Sequence, residues 1–142
     1  MPSANFLNLP LLLATAGINF GTATFKCMLL AGVPTEANLD TWINRSDVTG
    51  EVTGAGYTAG GVPVTATVSA VDTTNNRVSV TFSNLAPGWT AATISAAAAL
   101  IYRDTGTAAT DKLITMVDFG QVVTSTNGSF TVMFTAPLFI NR

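Results

Sequence analysis

Apolar and polar residues alternate with a period of two along most of this chain. Phe25, Cys27 and Leu29 interleave with Thr24, Lys26 and Met28 between Gly21 and Gly32, which predicts a strand within residues 22–31. Val64, Ala66, Val68 and Ala70 share one face against Thr65, Thr67 and Ser69, and after the turn cluster 72–76 the alternation resumes at Val78, Val80 and Phe82. That pattern predicts a hairpin with one apolar and one Thr/Ser-rich face, ended by Pro87-Gly88. Residues 93–104 carry two signals. Ala96–Ala99 has the highest helix propensity available, yet Ile94, Ala96, Ala98, Leu100 and Tyr102 form a period-two row. A strand is the preferred reading, because its neighbours on both sides are strands and tertiary context overrides propensity.

Residues 113–119 form another apolar run, after a polar loop from Asp104 to Asp111. Val122–Thr126 and Ser129–Phe134 then flank Asn127-Gly128. Asn-Gly between alternating residues predicts a two-residue hairpin, because a type I′ turn needs positive φ twice. That hairpin pairs Thr126 with Ser129 and sets Val123 opposite Val132. The closing run Pro137-Leu138-Phe139-Ile140 reads as a tail too short to be its own element. Helical spacing is brief: Leu39, Trp42 and Ile43 fall at i, i+3 and i+4 after Pro34, a residue that a first helical turn tolerates. About seven strands with frequent turns predict an all-β fold over residues 22–142, an antiparallel β-sandwich of immunoglobulin-like or jelly-roll-like form.

Residues 1–21 form a separate segment, read as an extended apolar arm. It carries no charge, and its apolar groups are Phe6, Leu7, Leu9, Leu11, Leu12, Leu13, Ile18 and Phe20. Pro2 and Pro10 discourage a long helix there. Burying each large side chain is worth roughly 1.5–3 kcal/mol, so these groups must be covered by something. Two readings stand: they finish this chain's own core, or they dock on another subunit. Leu11–Leu13 before Ala14-Thr15-Ala16 imitates a signal peptide, but no Lys or Arg precedes Lys26, and Asn8 and Pro10 break the apolar stretch. No apolar run reaches the roughly 18–20 residues of a membrane helix. The expectation is synthesis in the cytosol without a membrane span.

Composition narrows the chemistry. The 142 residues suit one domain. Only 10 % are charged while 48 % are hydrophobic, which suggests that part of the surface lies against a neighbour. With no histidine, imidazole catalysis and ligation are out. Cys27 is the lone cysteine, so there is no internal disulfide and no multi-cysteine zinc site. Net charge is −2 with single, scattered cations, so no basic stripe exists for nucleic acid.

Other candidate sites have ordinary readings. The stretch DVTGEVTGAGYTAGG over residues 47–61 lacks the Gly-Lys-Ser/Thr and GxGxxG patterns of nucleotide loops. Glycine at that density marks bends or close backbone approach. Asp47 with Glu51 is one conceivable carboxylate pair, but no spacing here is diagnostic of a glycosidase. Asp72 and Asn75 share a loop of the kind that holds calcium, without an EF-hand pattern. Trp42, Tyr57, Trp89 and Tyr102 would suit a sugar platform, although core packing is the default for such residues. No Gly-x-Ser-x-Gly elbow occurs. No catalytic residue, cofactor or metal is expected.

The segment from Asp47 to Gly61, most specifically Glu51–Gly61, resembles small virion structural proteins of tailed bacteriophages. So do Trp89 after a polar turn, the Ala-rich strand ending Ile101-Tyr102, and Asp111-Lys112-Leu113-Ile114 leading into Asp118-Phe119-Gly120. The resemblance spans residues 20–137. It implies a β-sandwich that coats or cements the capsid or sits on the tail or neck, and, for the capsid placement, the major capsid protein and copies of itself as partners. The expected function is therefore a non-enzymatic, multi-copy capsid decoration protein on the virion exterior, made in the host cytoplasm. The eight apolar arm residues named above are its candidate partner-binding groups. A tail, neck or fibre-associated subunit and a carbohydrate-binding module are the alternatives.

Overall fold

A computed structural model describes residues 3–141; Met1, Pro2 and Arg142 lie outside the described residues. Strand accounts for 49 % and helix for 12 %, which establishes the all-β class. The elements are β1 (Ser3–Asn5), α1 (Asn8–Ala14), β2 (Phe25–Leu30), α2 (Glu36–Thr41), a 3-10 turn (Arg45–Asp47), β3 (Val62–Val64), β4 (Ala66–Val68), β5 (Arg77–Phe82), β6 (Leu85–Arg103), β7 (Leu113–Val132) and β8 (Leu138–Asn141). A five-stranded antiparallel sheet has the order β1-β7-β6-β2-β3 and faces a three-stranded sheet, β4-β5-β8.

The main core fills the space between the sheets. Phe25, Cys27 and Leu29 of β2 meet Val80 and Phe82 of β5 and Leu138 of β8 there. The phenyl rings of Phe20, Phe25, Phe82 and Phe134 touch in sequence, with centroids 5.4–6.3 Å apart along the row. A second core lies on the opposite face of the large sheet. Met28, Leu30, Ala98, Leu100 and Tyr102 are covered there by Leu39 and Trp42 from the α2 region and by Phe6. Strands β2 and β6 are therefore buried on both faces where they pair, which is why residues 96–102 read as a continuous apolar run. Helix α2 begins with a capping box in which the Thr35 side chain accepts from the Asn38 amide while Asn38 Oδ1 accepts from the Thr35 amide.

Three local expectations are corrected. Asn127-Gly128 does not form a hairpin. Residues 122–132 run on in one strand, β7, paired with β6 from Leu85↔Val132 to Tyr102↔Leu113. Asn127, with φ 47°, sits at a register shift between the Ala92 and Ile94 pairs, and its amide donates to Thr93 Oγ1 at 3.0 Å. The positive φ that Asn favours has produced a bulge rather than a turn. The true hairpin is the long β6–β7 pair, closed by the loop after Arg103. Next, the predicted strand 64–70 is divided: β3 pairs with β2 in the large sheet and β4 with β5 in the small one, with only Thr65 between them. Finally, the apolar tail is a strand of its own, β8, which closes the small sheet against β5.

The N-terminal segment is not extended throughout. Ser3, Ala4 and Asn5 pair with Val117, Met116 and Thr115 of β7, and one short helix follows. Pro10 occupies the first turn of α1, where its missing N–H costs nothing.

Candidate functional site

Three of the side chains singled out from the sequence, Glu51, Tyr57 and Tyr102, join Arg45, Thr105 and Asp111 in one network on the large sheet. Residues 43–45 run antiparallel to residues 111–113, bridged at Asn44↔Lys112. This pairing brings Arg45 to Asp111, a residue with no exposed surface. Arg45 Nε donates to Asp111 Oδ2 at 2.7 Å, while the Thr105 amide and hydroxyl donate to Oδ1 at 2.7 and 2.8 Å. Burial opposes the charge on Asp111, but those donors and the guanidinium outweigh it and hold the carboxyl below the usual carboxylate range. The Arg45 guanidinium lies 5.2 Å from the centre of the Tyr102 ring.

The network continues into the glycine-rich loop. The Tyr102 hydroxyl donates to the Gly60 carbonyl at 2.5 Å, and burial pushes its pKa up to about 12. Glu51 Oε1 accepts from the Tyr57 hydroxyl at 2.9 Å and from the Gly60 amide at 2.6 Å. The Tyr57 oxygen accepts from the Leu29 amide at 3.1 Å, and its ring stacks on Trp89 at 5.5 Å. Glycine is required here by close approach. A Cβ on Gly61, at φ 80°, would sit 1.9 Å from the Cys27 carbonyl oxygen, and one on Gly56 would sit 2.6 Å from the Ala91 carbonyl oxygen. The loop is thus pressed onto β2 and β6 and tied down by Glu51, Tyr57 and Tyr102.

Chemically this network is a fastening. Each polar atom named above is engaged by another group of the same chain, leaving no nucleophile beside a free base. Asp47 and Glu51 serve different ends: Asp47 Oδ2 accepts from the Asn44 and Ile43 amides, which lower its pKa. Asp72 accepts from the Thr74 and Asn75 amides and the Asn75 side chain, and lies 3.7 Å from Arg77. Among the described residues no group of three or more Cys, Asp or Glu converges as a metal site. Trp89 and Tyr102 are buried and Trp42 and Tyr57 half-buried, so none of the four aromatics is an exposed platform. Burial likewise pushes the Cys27 thiol up, away from reactivity.

The arm residues divide into two sets. Phe6, Leu9, Ile18 and Phe20 are buried within this chain's own cores. Leu12 and Leu13 are half-buried against the main core. Leu7 and Leu11 are left 62 % and 64 % exposed, one turn apart at α1. Sequence reasoning missed a second exposed apolar group: Val122 at 62 %, Val123 at 38 % and Met133 at 49 %. Val123 and Met133 line a recess of about 270 Å³ together with Phe119, Gln121, Phe130 and Thr131. Its signal was the absence of charge from Phe119 to Asn141. Among the described residues no helix is long and apolar enough to cross a membrane. Comparison with protein families, with curated proteins and with solved structures returns no match.

Proposed function

We propose that this chain is a bacteriophage virion structural protein, a capsid decoration or cement protein. It binds the outer shell, bridges capsid subunits and works by assembly rather than catalysis. The observation that carries this reading is the exposed Leu7–Leu11 pair on an arm that has no charge before Lys26. A helix that turns two leucines to water gains by covering them, roughly 1.5–3 kcal/mol for each that is fully buried. The likeness of residues 47–61 to small phage structural proteins supports the same reading. A protein that binds only the expanded shell stabilises that state by mass action, and many weak contacts on one particle add through multivalency.

The test must spare the core, since deleting the arm removes Phe6, Leu9, Ile18 and Phe20 from it. The double variant Leu7→Asn/Leu11→Asn alters only the exposed pair. It is expected to keep the parent's circular dichroism and melting temperature and to lose binding to expanded capsids in a co-sedimentation assay. Undiminished binding by the variant removes the arm from the interface. Failure of the parent protein to raise the rupture temperature of particles removes the cement role.

A further inference from the structure

Asn127-Gly128, the chain's single Asn-Gly pair, forms no turn and is left displayed on the outside of a strand. Between the pairs Ala92↔Gly128 and Ile94↔Ser125, Thr126 and Asn127 of β7 stand opposite Thr93 alone. Thr93 turns its own amide away, to the Ala55 carbonyl at 2.9 Å, so the ladder is interrupted at this bulge. On the edge away from β6, among the described residues, β7 pairs only with β1, at residues 115–117. Asn127 is exposed. Its backbone amide donates to Thr93 Oγ1, while its side chain forms no hydrogen bond among the described residues. The side chains of Asn19, Asn38, Asn44, Asn75 and Asn84, in contrast, are each held by a hydrogen bond. Asn76 is the matched comparison. It too is exposed and has a positive φ, 53° against 47° at Asn127, but Arg77 follows it. Gly128 sets no Cβ beside the nitrogen that follows Asn127.

We infer that Asn127 is a self-modification site, where the folded chain converts its own side-chain amide to a carboxylate. The Gly128 nitrogen attacks Asn127 Cγ, and the new C–N bond closes a succinimide ring. The bond from Cγ to the side-chain nitrogen breaks, that nitrogen takes up the proton lost by Gly128, and ammonia leaves. Water then opens the ring at either carbonyl, giving aspartate or isoaspartate. One amide and one water are consumed, one acid and one ammonia are formed, and no oxidant or reductant is needed. The bulge is where the strand can admit the ring, because its ladder is already out of register there. The new carboxyl is ionised at neutral pH. It adds one negative charge to a chain of net charge −2 and places it within residues 119–141, which have no other charge. The inference concerns the free chain and does not rest on the capsid reading.

Incubation of the full, folded chain in mildly alkaline buffer at physiological temperature tests this, followed over weeks by isoelectric focusing and peptide mapping. One more acidic species is expected to build up. Its change is expected at Asn127, as a mixture of aspartate and isoaspartate, while Asn76 keeps its amide. Gly128→Ala is expected to fold like the parent, since a Cβ there would lie 3.4 Å from Ser125 Oγ and 3.7 Å from the Thr126 carbonyl oxygen, both ordinary contacts. The variant is expected to slow the conversion several-fold, because the added methyl crowds the attacking nitrogen. A folded parent that keeps the Asn127 amide overturns the inference, and loss of that amide only from a guanidinium-unfolded sample would show that the strand protects it. A rate that Gly128→Ala leaves unchanged overturns it too, as does a product that is aspartate alone, since neither fits a ring closed by the Gly128 nitrogen.

Discussion

Asp111 shows how one side chain holds several loops. It is fully buried, and it ties Arg45 and Thr105 to the start of β7. Its depressed pKa makes this hold sensitive to acid. The folded state binds the Asp111 proton less readily than the unfolded state, so its contribution is complete above the ordinary carboxylate value of about 3.9. The contribution is lost as pH falls through the lower, folded value. Asp111→Asn is expected to cost about 2–3 kcal/mol at neutral pH by leaving Arg45 without its charge partner. It should also flatten the dependence of stability on pH below about 4, measured by urea titration across that range. In the sequence Asp111 marks only the end of a polar loop. Nothing local separated it from Asp104 or Asp118, because its partner Arg45 lies 66 residues away.

At the scale of elements, period-two patterning located β2, β5 and the second half of β6, including the alanine run whose helix propensity is overridden, whereas Pro87-Gly88, read as the end of a hairpin, lies inside the first half of β6. Side-chain alternation reports burial directly, and the burial here is on a sheet. Two features escaped that logic. Ile94 and Ala96 face the main core, but so do Ala99 and Ile101, while Ala98 and Leu100 face the second. The register irregularity at Ala97 swaps the faces, and a two-faced core leaves no polar residue to mark the swap. Asn127-Gly128 misled for a related reason: positive φ serves a bulge as readily as a turn, and the choice is made by β6 lying alongside. Helix α2 is short and depends on its cap to lay Leu39 over the second core. Thr35→Ala removes the side-chain acceptor for the Asn38 amide. It is expected to cost about 1 kcal/mol, read as a melting temperature lower by a few degrees.

Across the whole molecule, the arm expectation split along a physical line that composition does not contain. An uncharged apolar segment announces that it will be covered, but which residues turn inward depends on β1 pairing with β7 and on where α1 begins. The two cores share β2 and β6, and each core holds one tryptophan, Trp89 in the main core and Trp42 against the second. The cores should therefore melt together. Tryptophan fluorescence, circular dichroism and calorimetry are expected to give one midpoint, with equal calorimetric and van't Hoff enthalpies. Separate midpoints would show that the second core opens by itself. The crossings between the sheets sharpen this expectation. Thr65 alone joins β3 to β4, Ser83 and Asn84 join β5 to β6, and Thr65 and Ser83 exchange hydrogen bonds, with the Thr65 amide donating to Ser83 Oγ at 2.9 Å and the Ser83 amide to the Thr65 carbonyl at 2.8 Å. So short a tether stores no slack. A pull that tries to part the layers loads the ladders on either side of it at once, and the body yields as a unit or not at all.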